Sequence, residues 1–153
     1  PAPIMIRGPF GKFVMDTEKM KHLVLIAGGT GITPFRSMTR AITQKGLPNK
    51  VTVAYSVRTP SEIIYHEEFK TLAAKHPNIA FYATVTRPHL MHPGASWNGP
   101  TGRLNAAVFK KIIPNFEKAT YFICGSNQLI GTLSADLMKS GIPQNQIIFE
   151  KWG

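Results

Sequence analysis

One short segment combines an apolar run, a glycine cluster and a helix-starting pair, and it is the part of the sequence best suited to chemistry. The run from Leu23 to Ala27 favours a buried strand, and Gly28-Gly29-Thr30-Gly31-Ile32-Thr33-Pro34 follows it directly. Glycines let backbone N–H groups approach an anion closely, and the amino end of a helix adds positive potential. The segment therefore predicts a pyrophosphate-binding junction, although its spacing differs from the common G-x-G-x-x-G fingerprint.

The residues after this junction predict an amphipathic helix. We expect the Thr33 hydroxyl to cap the helix and Pro34 to occupy its first position, where a missing N–H costs little. Helical spacing of apolar residues predicts its buried face, formed by Phe35, Met38, Ala41 and Ile42. Arg36 and Arg40 are predicted to face water, and Gly46 to end the helix.

Further apolar segments predict four more strands, at 51–56, 79–85, 120–124 and 146–150, and helices at 67–76 and 105–113. A last helix is predicted from the stripe Leu129, Ile130, Leu133, Leu137 and Met138. Near-continuous apolar strands that alternate with helices indicate a parallel sheet buried on both faces. We predict an α/β fold with three layers: a doubly wound, five-stranded parallel sheet in the order 3-2-1-4-5.

Unusual residues follow the predicted strands. Thr86-Arg87 follows the third strand, Cys124-Gly125 the fourth, and Glu150-Lys151-Trp152 the fifth. Ligands of doubly wound sheets bind at the carboxyl ends of the strands, near the point where the strand order reverses. We therefore expect these residues to share one edge of the sheet with the glycine junction.

The composition restricts the classes of protein to consider. A chain of 153 residues, 43% of them hydrophobic, is long enough for one core. Its single cysteine excludes an intramolecular disulfide, and no apolar run approaches the roughly 18 residues of a membrane span. The first residues lack the pattern of a signal peptide, so we expect a cytoplasmic protein. The net charge of +10 suits a nucleotide, an acidic redox protein or nucleic acid.

In order and combination, four segments resemble the nicotinamide-nucleotide domain of the ferredoxin-NADP reductase family, which includes cytochrome b5 reductases. These segments are Gly8-Pro9-Phe10-Gly11, Ala27 to Pro34, Tyr121-Phe122-Ile123-Cys124-Gly125 and Glu150-Lys151-Trp152. The resemblance implies that residues 1–21 are the end of a flavin domain with its linker, and that residues 22–153 bind NAD(P). It also implies a flavin-binding domain or subunit carrying FAD, since the chain has no flavin-binding signature of that family.

The resemblance also implies roles for particular residues. The residues expected to bind the cofactor at the two strand ends are Gly28, Gly29, Thr30, Gly31, Ile32, Thr33, Pro34, Gly125 and Ser126. Thr33, Cys124 and Glu150 would lie near the nicotinamide where hydride leaves, and Trp152 would cover the flavin ring. The family usually has proline at the position of Ser126 and often methionine at that of Leu129. Ser126 can still cap the following helix.

The choice between NADPH and NADH should depend on the loop after the third strand. An acid there accepts a hydrogen bond from a ribose hydroxyl, whereas an arginine pairs with a 2′-phosphate. Thr86-Arg87 resembles the serine-arginine pair of NADP-using members, so we expect NADPH rather than NADH. Arg58 and Arg103 are further candidates for the same phosphate.

The leading hypothesis is a module that passes hydride from NAD(P)H to FAD, for onward transfer to a ferredoxin or other acidic iron–sulfur protein, a haem or an oxygenase. A non-catalytic subunit that senses nucleotide is the alternative. A nucleic-acid adaptor is disfavoured, because the basic residues are scattered rather than grouped with stacking aromatic residues. His89 and His92 have no clustered third ligand, so we expect no metal site there.

Overall fold

The computed structural model describes residues 3–5, 7–8, 11–91 and 96–151. The strands are β1 (His22–Gly28), β2 (Lys50–Val57), β3 (Ile79–Val85), β4 (Thr120–Gly125) and β5 (Ile147–Lys151). The helices are α1 (Ile32–Gln44), α2 (His66–Lys75), α3 (Ala106–Ile112) and α4 (Asn127–Lys139). Every strand and helix predicted from the sequence is present, with ends displaced by no more than a few residues.

The sheet has the predicted order β3-β2-β1-β4-β5, and each neighbouring pair is parallel. Strand β1 is central, so that Ala27 lies between Tyr55 of β2 and Cys124 of β4. The chain leaves β1 toward β2 on one side and returns from β3 to β4 on the other. The strand order therefore reverses between β1 and β4, beside the glycine junction.

Two cores cover the faces of the sheet. Alternate residues of β1 point to opposite sides, as strand geometry requires. Leu23 and Leu25 join the core that includes Phe35 of α1 and Phe69 of α2. The other core contains Val24, Ile26, Phe109 and Leu133, of which the last two belong to α3 and α4. The predicted three-layer arrangement is confirmed.

The start of α1 differs from the prediction. A turn of 3₁₀ helix at Gly29–Gly31 runs directly into α1, so the N-cap is Gly31 and the helix begins at Ile32. Thr33 is not the cap; its hydroxyl donates a hydrogen bond to the Thr30 carbonyl at 2.9 Å. Pro34 is the third helical residue instead of the first, where its missing N–H still costs no helical hydrogen bond.

Arg36 is not on a fully solvated face, contrary to the prediction. Its Nε donates to the Glu68 carboxylate of α2 at 2.7 Å, and its guanidinium lies 4.6 Å from the centre of the Tyr65 ring. Helices α1 and α2 pack on the same face of the sheet, which brings these side chains together. Met138 was predicted in the buried stripe of α4, but it is 44% exposed because the helix turns it away from the sheet.

Candidate functional site

A pocket of about 440 Å³ opens where the strand order reverses. Gly28, Gly29 and Thr30 line it from the end of β1, and Gly125 and Ser126 line it from the end of β4. Ser56, Val57, Arg58, Glu62, Thr86 and Leu129 complete the wall. The structure thus gathers around one pocket many of the residues selected from the sequence, at the edge of the sheet where doubly wound folds bind ligands.

Different positions of the junction require glycine for different structural reasons. Gly29 has φ +54, which favours glycine, and a Cβ added there would have open space around it. Gly31 faces the backbone at the end of β4, and an added Cβ would lie 2.6 Å from the carbonyl carbon of Cys124 and closer still to its oxygen. Gly29 therefore provides an open turn at the pocket, whereas Gly31 permits close backbone packing.

A second close approach joins the two strand ends. A Cβ added at Gly125 would lie 3.3 Å from the backbone of Gly28, and one added at either glycine would meet the side chain of Leu129. Ser126 then caps α4, because its hydroxyl oxygen accepts a hydrogen bond from the Leu129 N–H at 3.3 Å. The predicted cap is confirmed, and the amino end of α4 faces the pocket.

Strands β2 and β3 form the opposite wall. Thr86 is held against the end of β2, since both its hydroxyl and its N–H donate to the Val57 carbonyl, at 3.1 Å and 2.9 Å. The Arg87 N–H donates to the Arg58 carbonyl at 2.9 Å. The two arginines are therefore neighbours, but only Arg58 lines the pocket. Both side chains are exposed.

Glu62 is a pocket residue that the sequence analysis did not select. Its carboxylate accepts hydrogen bonds from the Arg58 N–H and the Thr59 hydroxyl, both at 3.3 Å. Below it, the Tyr55 hydroxyl donates to the Glu62 carbonyl at 3.3 Å. Burial raises the pKa of Tyr55, so the donor stays protonated. An acid four residues after Arg58, within the turn that follows β2, was the signal available in the sequence.

A smaller cavity of about 160 Å³ continues the pocket along α4. It shares Ser56, Thr86, Ser126 and Leu129 with the main pocket and adds Arg103, Gln128 and Thr132. Arg103 therefore places a cationic side chain in this smaller cavity, beside α4. Together the two cavities form an elongated site with arginines on the side of β2 and β3.

The residues selected as catalytic lie beside this groove. Cys124 and Glu150 are neighbours across β4 and β5, and Thr33 lies in the first turn of α1, at the same edge of the sheet. Cys124 is fully buried, Glu150 is half-buried and Thr33 is exposed. The main pocket is not lined by these three residues, nor by four others selected from the sequence, which are Gly31, Ile32, Pro34 and Arg87. Trp152 lies outside the described residues.

Two further results concern metals and membranes. Within residues 3–5, 7–8, 11–91 and 96–151, no three histidine, cysteine or acidic side chains are grouped to hold a metal ion; His92 lies outside those ranges. None of the helices in the same ranges has the length and apolar character needed to cross a membrane.

Comparison with known proteins identifies the family of this chain. Residues 25–134 match the oxidoreductase NAD-binding domain family. The chain is 29% identical over 155 residues to a subunit of the Na(+)-translocating NADH-quinone reductase of Methylococcus capsulatus, covering 98% of this chain and 37% of that protein. It is 35% identical over 124 residues to NADH-cytochrome b5 reductase 2 of Botryotinia fuckeliana, covering 78% of this chain and 34% of that protein.

Solved structures show the same fold. The cytochrome b5 reductase domain of Ulva prolifera nitrate reductase superimposes with a TM-score of 0.74 at 25% identity, over 86% of this chain and 50% of that one. A ferredoxin NADP+ reductase from Neisseria gonorrhoeae, solved with bound FAD and NADP, has a TM-score of 0.71 at 22% identity, over 93% of this chain and 61% of that one.

The chain thus spans little more than a third of the length of these curated relatives, and the matched part contains the glycine junction and β4. The strand order, the pocket at its reversal point and the family match agree with one another. The chain belongs to the oxidoreductase NAD-binding domain family, and its sequence matches part of NADH-cytochrome b5 reductase 2.

Proposed function

We propose that this chain binds NAD(P)H and orients its nicotinamide so that hydride passes to FAD on a flavin domain or subunit. Electrons would then continue to an iron–sulfur protein, a haem or an oxygenase. The observation that carries the proposal is the pocket of about 440 Å³ between the ends of β1 and β4, lined by Gly28, Gly29, Gly125 and Ser126. This is the position at which doubly wound sheets bind nucleotides.

The residues of this pocket suit a pyrophosphate. Gly29 leaves open space for a phosphate beside the backbone, and the amino end of α4 adds positive potential. The close backbone packing of Gly31 on Cys124 and of Gly28 on Gly125 holds the ends of β1 and β4 together. The backbone amides around the pocket therefore keep a fixed arrangement without the ligand. Binding would therefore require little rearrangement of the backbone.

The nicotinamide would extend from the phosphates toward β4 and β5. Glu150 and Thr33 lie at that edge, while Cys124 is covered by the first core. In this proposal Cys124 shapes the surface under the ring and excludes water, and Glu150 orients the carboxamide. These residues act by positioning, since the redox chemistry belongs to the cofactors.

When bound, FAD would supply the acceptor for the hydride. The structure of the described residues contains a single parallel sheet, whose pocket suits a nucleotide phosphate rather than a flavin ring. The relatives in the comparison are two to three times longer than the matched region. We therefore propose that FAD binds outside these residues, either on another domain or on a separate subunit.

We further propose that the coenzyme is NADPH. Arg58 lines the pocket, Arg87 is its backbone neighbour and Arg103 lies at the far end of the groove. The acid in the pocket wall, Glu62, already accepts two hydrogen bonds within its own turn. Arginine pairs well with a phosphate, so the balance of charge favours a 2′-phosphate over a 2′-hydroxyl.

Calorimetric titration of the chain with NADPH and NADH tests the first step, and we expect binding of both, with NADPH tighter. Addition of a flavin domain from a related reductase, followed by dye reduction, tests the second. Binding with no dye reduction in any such pairing would favour the nucleotide-sensing alternative. Absence of heat with either coenzyme would contradict the proposal as a whole.

Replacing Cys124 with alanine should separate the proposed effect of this side chain on hydride transfer from its effect on the stability of the fold. The substitution removes one sulfur atom from the core, and we expect a loss of unfolding free energy of about 1 kcal/mol. Coenzyme affinity should change less than about threefold, while hydride transfer to an added flavin domain slows on the order of tenfold.

Urea unfolding and stopped-flow absorbance measure these two quantities. Ile123→Val, which shortens a buried neighbour of Cys124 on the other face of β4, is the matched control for a small core defect. An unchanged transfer rate in Cys124→Ala would restrict this cysteine to packing.

A further inference from the structure

The edge of the sheet opposite the nucleotide pocket carries a concentration of exposed lysines. In a parallel sheet with crossover helices, the strands begin where the helices end, so both kinds of terminus share one edge. The lysines at this edge are Lys19, Lys21, Lys45, Lys50, Lys75, Lys110, Lys111, Lys118 and Lys139, and all are exposed. We call this set the lysine edge.

Two kinds of position contribute to the lysine edge. Lys45, Lys75, Lys110, Lys111 and Lys139 lie at the last turns of α1 to α4. Cations are favoured there by the helix dipole, which gives a structural reason for them. Lys21 and Lys50 instead precede or begin strands, where no helix dipole favours a cation, and Lys118 ends a single 3₁₀ turn just before β4. These three lysines lie at the starts of β1, β2 and β4, which are neighbours in the sheet, so they make the positive surface continuous there.

The lysine edge has little compensating charge. Asp16, Glu18 and Glu117 are the acids in the same loops, and Asp16 pairs with Lys19 at 3.1 Å. Asp136 lies in the last turn of α4, beside Lys139. For the other eight lysines, no acidic oxygen of the described residues lies within 4.0 Å. Burial, followed by the nearby Lys50 cation, lowers the pKa of His22 at the centre of this edge. The local potential is therefore positive.

Side-chain amides fix the loops that carry these lysines. Buried Asn49 donates to the Thr17 and Met20 carbonyls at 2.7 Å and 2.8 Å. Asn78 donates to the Leu47 and Asn49 carbonyls, at 3.2 Å and 2.9 Å. Gln146 joins the loops on the other side by donating to the Glu117 and Ala119 carbonyls. The lysines thus project from two groups of loops, each held together by side-chain hydrogen bonds, on either side of β1.

From these observations we infer that the lysine edge docks on an anionic lipid surface. Three features favour a bilayer over nucleic acid or an acidic protein. Apart from Arg40, which shares a surface cavity with Lys75, the cations around this edge are lysines, flexible point charges suited to diffuse attraction, whereas Arg58 and Arg103 line the nucleotide groove. None of the large hydrophobic residues exposed in the described ranges is an aromatic residue at this edge that could stack on bases.

The third feature is orientation. The strands separate the lysine edge from the nucleotide pocket by about 20 Å. An acidic electron carrier would have to approach the hydride end of the molecule, so the opposite edge does not serve it. A bilayer beneath the lysine edge would leave the pocket facing water, open to coenzyme.

Vesicle sedimentation tests this inference with the whole chain. The probes are vesicles of phosphatidylcholine alone and vesicles in which about a third of the lipid is phosphatidylglycerol. We expect binding to the second kind only, and loss of that binding at high salt. The variant Lys21→Gln/Lys50→Gln/Lys118→Gln should weaken the partition on the order of 100-fold, about fivefold per lysine.

The matched control is Arg58→Gln/Arg87→Gln/Arg103→Gln, which has the same net charge but leaves the lysine edge intact. It should change vesicle binding less than about threefold. Lys21→Arg/Lys50→Arg/Lys118→Arg should bind vesicles like the original chain. Unfolding curves and coenzyme titration of the lysine variants show whether fold and pocket are intact, independently of lipid binding.

Three results would overturn the inference. These are no binding to anionic vesicles, equal losses in the glutamine variants of the two edges, and tighter binding of duplex DNA that the lysine-to-glutamine variant loses. The last result would assign the lysine edge to nucleic acid.

Discussion

Replacing Gly31 with alanine is expected to lower the free energy of unfolding by about 3 kcal/mol, the upper part of the usual range for overpacking. The reason is steric, because the added Cβ would lie 2.6 Å from the Cys124 carbonyl carbon. That atom belongs to the backbone of a central strand and cannot turn away. The φ of Gly31 is −61, so backbone strain does not contribute. Urea unfolding measures the change, and the midpoint of thermal unfolding should fall by about 10 °C.

Gly29→Ala is the matched control, because it adds the same methyl group two residues away. Its Cβ would meet no atom within 4 Å, but its φ of +54 is unfavourable for alanine. We expect a loss of about 1 kcal/mol. Equal losses in the two variants would contradict the assignment of Gly31 to packing against β4.

Changing Arg87 to aspartate is expected to weaken NADPH binding on the order of 100-fold. Arg87 does not line the pocket, but its N–H is bonded to the carbonyl of Arg58, which does, and we propose that its exposed side chain pairs with a 2′-phosphate projecting from the pocket. Aspartate would repel that phosphate. NADH binding should weaken less than about threefold, since NADH has no 2′-phosphate. Calorimetric titration with each coenzyme measures both affinities. Because the expected result is a change in the ratio of the two affinities, a general loss of fold would not imitate it.

Arg58 and Glu62 provide the comparison within the same pocket. Arg58→Gln should reduce NADPH affinity with little effect on NADH, because Arg58 lines the pocket beside Thr86. Glu62→Gln should leave NADPH binding equal or slightly tighter, since it removes a negative charge. Equal weakening of NADPH and NADH by Arg87→Asp would refute the selectivity argument.

The order of strands and helices could be predicted because each of them depends on the residues of one short segment. Strand β3 was predicted with the bounds that the structure has, since a run from Ile79 to Val85 that is apolar except for Thr84 is bounded by polar residues. The cap of α4 was predicted for a similar reason, because the Ser126 hydroxyl needs only the N–H of Leu129, three residues further along the chain. These features depend on short-range geometry.

The predicted start of α1 was wrong because it considered only the residues next to it. Thr33-Pro34 has the composition of a cap and first position, yet the preceding 3₁₀ turn already directs the chain into the helix. Close packing of Gly31 on β4 holds that turn in place. A contact with a strand about 90 residues further along the chain thus decided a boundary that appeared to be local.

By itself, the sequence determined the strand order, the position of the pocket and the family, because alternating apolar runs leave few ways to cover a parallel sheet. Only the tertiary structure decided which residues meet. It placed Glu62 in the pocket wall, left Arg87 outside it, paired Arg36 with Glu68 and assembled the lysine edge from separate loops. The physical reason is that side-chain contacts and local potential depend on distances between elements that are far apart along the chain.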